Sequence, residues 1–106
     1  MKIRSEYTCP LELTHDIIKG KWKPIILWTL KNKRLGPSQL QKEIKGINQK
    51  MLIQQLKELM EYDLIEENTF QGYPLKVEYF LTERGNKMLE AITIMQQIGS
   101  EIMNEK

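Results

Sequence analysis

The sequence predicts an α+β fold, mainly helical, forming one domain over residues 1–106. Three observations predict it. Apolar residues recur at three- and four-residue steps along most of the chain. That period breaks once, between Asp63 and Thr82, where two short β-compatible runs flank the turn residues Gly72 and Pro74. A chain of 106 residues with 41% hydrophobic content also suits one modest core and not two independent ones.

Each element follows in order. "CPLELTHDIIKG", residues 9–20, reads as a short first helix, with Pro10 tolerated in the opening turn and Gly20 ending it. "KWKPIILWTLK", residues 21–31, carries Trp22, Ile25, Ile26, Trp28 and Leu30, dense enough for a central helix, and Pro24 fits its first turn. After the basic link "NKRLG", a third helix runs from Pro37 to Lys45, with Leu40 and Ile44 on one side. Gly46 closes a turn, and Asn48 caps a fourth helix. Its inward stripe is Leu52, Leu56, Leu59 and Met60, leaving Gln54, Gln55, Lys57, Glu58 and Glu61 mainly outside.

"LIEENTF" and "LKVEYFLT" then form a hairpin across "QGYP", with Val77, Tyr79 and Leu81 alternating against Lys76, Glu78 and Phe80. Thr82 caps a last helix through residues 83–106, where Met88, Leu89, Ile92, Met95, Ile98 and Ile102 share the helical period. Gly85 and Gly99 weaken it locally. Four helices, a hairpin and a helix is the order of a winged helix-turn-helix with a two-stranded β-wing and a C-terminal dimerisation helix. The competing architecture is a small α+β domain that packs the same parts without that role.

A formal charge of +2 conceals a polarity. Residues 1–50 hold 11 Lys/Arg against 4 Asp/Glu, whereas residues 51–106 hold 5 against 10. A basic first half points to an anionic partner, and an acidic second half argues against indiscriminate binding. The single cysteine excludes an intrachain disulfide scaffold. The first residues lack a secretion signal and no run is long enough to cross a bilayer, so a cytoplasmic protein without membrane contact is expected. His15 and Asp16 are adjacent and therefore do not share a helix face, Cys9 and His15 lack a third ligand, and no glycine-rich phosphate loop is present. No catalytic residue, metal or cofactor is expected.

The fourth helix carries the binding hypothesis. If it enters a major groove, Gln49 and Asn48 offer donor and acceptor groups to base edges, Lys50 reaches guanine or phosphate, and Gln54 extends the row one turn on. Ser38 and Gln39 at the start of the third helix suit phosphate, with Lys31, Lys33 and Arg34 as a charged approach and Lys76 as a wing cation. The bland alternative for all of these is a hydrated surface. Such a helix reads little DNA by itself, so a symmetric pair is expected, reading half-sites about 34 to 36 Å apart. Leu11 and Ile17 in the first helix, with Met88, Ile92, Met95 and Ile98 in the last, supply a candidate interface or else simply fill the protomer core. The competing function is a non-enzymatic protein-interaction module using the fourth or last helix. Trp22 and Trp28 are read as core before any effector pocket.

Cys9-Pro10, "GKWKPIIL" at 20–27, Gly36, Leu40, "GINQKML" at 46–52, "QLKEL" at 55–59, "DLI" at 63–65, Pro74 and "VEYFLTERG" at 77–85 occur in a telling order. Through them the chain resembles the HxlR-type family of bacterial winged-helix transcriptional regulators, of MarR-like architecture. The resemblance implies a homodimer on double-stranded operator DNA, with Asn48 to Met60 in the major groove, Phe70 to Val77 as the wing, and pairing through the N-terminal segment and last helix. It carries the DNA-facing role onto Asn48, Gln49, Lys50 and Gln54, and secondarily onto Ser38 and Gln39. Many members have serine where this chain has Asn48, a change between two capping residues. Matching cysteines sense oxidants or electrophiles in some members, which makes Cys9 a candidate sensor, assisted by Lys21 or Lys23 if they fold nearby. The other reading of Cys9 is a small buried apolar residue.

Overall fold

The computed structural model describes residues 6–105. The elements in order are α1 (Pro10–Ile18), α2 (Trp22–Thr29), α3 (Pro37–Glu43), α4 (Gln49–Glu61), β1 (Ile65–Phe70), β2 (Lys76–Leu81) and α5 (Glu83–Asn104). The winged helix-turn-helix order is therefore present, and boundaries differ from the expected ones by a residue or two. α3 stops at Glu43, short of Lys45, because Ile44 turns extended to bury its side chain. Gly46 then takes a positive φ of 92°, a conformation that costs a residue with a Cβ far more than glycine.

Ile26 and Leu27 put α2 at the centre, packed against α3, α4 and α5. Leu40 of α3, Leu52, Leu56 and Leu59 of α4, and Leu64 and Ile65 at the wing root complete the main core. α5 adds Leu89 and Ile92. α4 thus has one face fixed by three fully buried leucines and the opposite face outward. Trp22 and Trp28 are half-buried and pack on this core.

β1 and β2 pair antiparallel, Ile65 opposite Leu81, Glu67 opposite Tyr79 and Thr69 opposite Val77. Tyr79 and Leu81 are buried, as their alternation predicts. A third rung was not legible: Leu35 and Tyr79 exchange backbone hydrogen bonds of 3.0 and 2.7 Å, joining the loop before α3 to the inner edge of the hairpin.

The junction of wing and α5 is tightly built. Thr82 Oγ1 accepts the Gly85 N–H at 3.0 Å and donates to the Asp63 carbonyl at 2.6 Å, while the Thr82 N–H donates to the Leu64 carbonyl at 3.1 Å. A Cβ on Gly85 would lie 2.0 Å from that same Leu64 oxygen. The glycine that lowers helix propensity here lets α5 press directly onto the wing root. No helix among the described residues is long and apolar enough to cross a membrane.

Candidate nucleic-acid interface

The outward face of α4 is where the expected contact residues gather. Gln49, Lys50 and Gln54 are exposed and, with Ile53 and Lys57, bound a shallow concavity. Asn48 differs in its freedom. Its Oδ1 accepts the Met51 N–H at 2.8 Å, satisfying one of the unpaired donors at the helix start. The side chain keeps its amide donors for a ligand and has no free choice of orientation.

Gln55 and Glu58 correct the expected open face. Both are half-buried, because Lys23 of α2, only 5% exposed, reaches them: its Nζ donates to Gln55 Oε1 at 2.8 Å and to Glu58 Oε1 at 2.6 Å. Gln55 also donates to the Met51 sulfur, and Gln54 Nε2 donates at 3.4 Å to the other Glu58 oxygen. Burial by itself pushes the Glu58 carboxyl up, but the hydrogen bond and charge of Lys23, helped by Gln54, outweigh it and hold the group below its ordinary value. The contact of Lys23 with this face is the feature least legible in the sequence. A signal exists: Lys23 precedes Ile26, Leu27 and Leu30 by three, four and seven residues, and all three are core.

On α3, Ser38 and Gln39 are exposed in the first turn, but Gln39 Oε1 accepts the Gly36 N–H at 2.9 Å and so acts first as a cap. The basic link is partly occupied by local partners. Lys33 Nζ lies 3.0 Å from Glu43, Lys31 sits 5.1 Å over the Trp28 ring, and the Arg34 guanidinium lies 4.0 Å over Phe80 at the wing. Lys76 is exposed at the start of β2. The two strands otherwise carry Glu66, Glu67 and Glu78, and the tip exposes Tyr73 and Leu75, so the wing is acidic with one cation.

The candidate pairing residues divide. Leu11, Met95 and Ile98 are exposed, together with Leu13, Ile94, Ile102 and Met103. Ile17 and Met88 are partly buried against the protomer core. Ile92 lies within that core at 4% exposure, because its helical phase follows Leu89 inward, so it presents no surface to a second copy. Cys9 is exposed with a free thiol at the N-cap position of α1, contrary to a buried apolar role. Its two expected helpers are engaged elsewhere: Lys23 on α4, and Lys21 at 4.5 Å over the Trp22 ring. His15 is exposed on α1.

Comparison with known proteins agrees with this arrangement. The model of the HxlR-like helix-turn-helix family matches residues 17–106. The protein named regulatory protein MalR of Fusobacterium mortiferum is 40% identical over 99 residues, which cover 92% of this chain and 93% of that protein. The redox regulator HypR in its reduced form superposes with a TM-score of 0.84 at 31% identity, over 88% of this chain and 92% of its own. The reduced transcriptional regulator YodB from B. subtilis gives 0.76 at 29% identity, over 86% and 90%. A family match across most of the length, on a helix-turn-helix with a wing, makes this chain a transcriptional regulator and not an enzyme: it belongs to the HxlR-like helix-turn-helix family.

Proposed function

We propose that the protein is a homodimer that binds double-stranded operator DNA sequence-specifically and represses transcription by occupying it. The observation that carries this reading is the outward row of α4, Gln49, Lys50 and Gln54, held over three buried leucines with α3 packed behind. In this mechanism Lys50, Lys57, Ser38 and the free amide of Gln39 contact phosphates and set position, while Gln49 and Gln54 discriminate base edges, each good bidentate contact supplying about 1 to 3 kcal/mol. Asn48 contributes through its amide donors once its oxygen has capped the helix. Lys76 contacts phosphate from the wing. A second copy seats on the exposed apolar residues of α1 and α5, doubling the read sequence. Repression needs no activation region, since a bound dimer obstructs polymerase.

Selection of duplexes from sheared genomic DNA by the purified chain tests this directly. The expected product is a short inverted repeat occupied by two subunits, with affinity falling roughly a thousandfold between about 50 and about 200 mM salt. DNA-independent capture of another protein, with no enriched duplex, would instead support an interaction module.

The exposure of Cys9 favours one addition, sensitivity to an oxidant or electrophile. HypR is known in reduced and oxidised forms and YodB after diamide treatment. In this chain the Cys9 thiol is open to the same reagents beside the apolar residues assigned to pairing. A Cys9→Ser protein that loses operator binding under diamide as the wild type does would remove Cys9 from the mechanism.

A further inference from the structure

The assigned row of α4 explains which side chains face DNA but not what fixes the rotation of the helix about its own axis. Buried leucines hold α4 against the core, yet apolar packing is non-directional. Side-chain tips lie about 5 to 6 Å from a helix axis, so a rotation of about 20° moves them by about 2 Å. A base-edge hydrogen bond tolerates only about 0.5 Å. A directional restraint is needed, and α2 supplies one.

Resting on the assignment of α4 as the reading helix, we propose that Lys23 is a positioning residue for DNA recognition, which sets the rotation of α4 through Gln55 and Glu58 and steers Gln54 through Glu58. The two contacts sit three residues apart on the flank between the leucine stripe and the outward row, at 2.8 and 2.6 Å. Residues three apart are offset by about 60° around a helix, so with both acceptors held by one ammonium a rotation of α4 strains the pair of hydrogen bonds. Glu58 divides its carboxylate, one oxygen to Lys23 and the other to Gln54 Nε2 at 3.4 Å. The Gln54 amide is thereby aligned by a group that itself touches no DNA. Lys23 is nearly inaccessible, so it acts on sequence preference only through α4.

The test is selection from a randomised duplex library with the full-length wild type, Gln49→Ala, Gln54→Ala, Lys23→Met, Lys23→Arg and Glu58→Gln, alongside affinity for random DNA and thermal midpoints. Positions whose preference relaxes in Gln49→Ala or Gln54→Ala define the bases read by α4. Lys23→Met and Glu58→Gln are expected to reduce discrimination at those positions by about tenfold, with random-DNA affinity within about twofold, and Lys23→Arg to restore part of it. Folded Lys23 and Glu58 variants that lose thermal stability but keep the wild-type preference would overturn the proposal and leave a structural ion pair. Should Lys23→Met fail to fold, Glu58→Gln decides alone. If the wild type enriches a motif that neither Gln49→Ala nor Gln54→Ala alters, the reading role of α4 falls, and the positioning role with it.

Discussion

At the residue scale, Lys23 and Glu58 show how a charge enters a small core. Each is costly to bury alone, and removing one partner of a buried pair typically costs about 3 kcal/mol, less where, as with Glu58, water still reaches the remaining group. Because Glu58 is held below its ordinary value of 4.5, the folded chain binds fewer protons than the unfolded chain between those two values. The pair's contribution is complete above pH 4.5 and disappears as pH falls through the lower, folded value. Urea unfolding of wild type and Glu58→Gln at neutral and acidic pH should therefore give a difference that shrinks on acidification; a constant difference would contradict the linkage. Gly85 makes a second prediction. Alanine there overpacks the Leu64 carbonyl and should destabilise the fold by about 1 to 3 kcal/mol. At Gly99 a methyl group meets nothing within 4 Å and alanine should stabilise by up to about 1 kcal/mol.

At the element scale, the start of α4 joins stability to recognition. Asn48→Ala should cost about 1 kcal/mol through the lost cap, and Asn48→Ser should recover most of it. Denaturant titration of the three proteins checks this ranking, and equal midpoints would show that the cap is dispensable. The cap, the leucine stripe and the alternation of β2 were all legible, because each is a local pattern with a period or a fixed offset. What stayed hidden depended on partners far along the chain. Gln55 looked open because periodicity cannot anticipate a lysine 32 residues earlier folding onto it. Leu35 gave no strand signal, since its rung exists only where Tyr79 comes alongside. A Cβ on Gly36 would likewise lie 3.0 Å from the Val77 carbonyl of β2, and one on Gly85 2.0 Å from the Leu64 carbonyl at the wing root, so both glycines answer to distant backbone.

At the scale of the whole molecule, Ile94, Met95, Ile98, Ile102 and Met103 leave an apolar stripe uncovered along the last three turns of α5. Ile98→Glu should weaken self-association by at least about 3 kcal/mol, roughly a hundredfold in dissociation constant, while leaving the protomer folded. Sedimentation checks the first part and circular dichroism the second; an unchanged dimer would move the interface elsewhere. The contact of Gly85 with the Leu64 carbonyl has a further consequence for such a pair. α5 is riveted to the hairpin root by that contact and by the Thr82 hydrogen bonds, so little play separates the pairing surface from the remainder of each subunit. Two subunits joined through α5 would behave as a caliper with a stiff jaw. Inserting one base pair between half-sites swings one of them by about 34° around the duplex, and a caliper of this kind should reject the altered spacing even when every letter of both half-sites is intact.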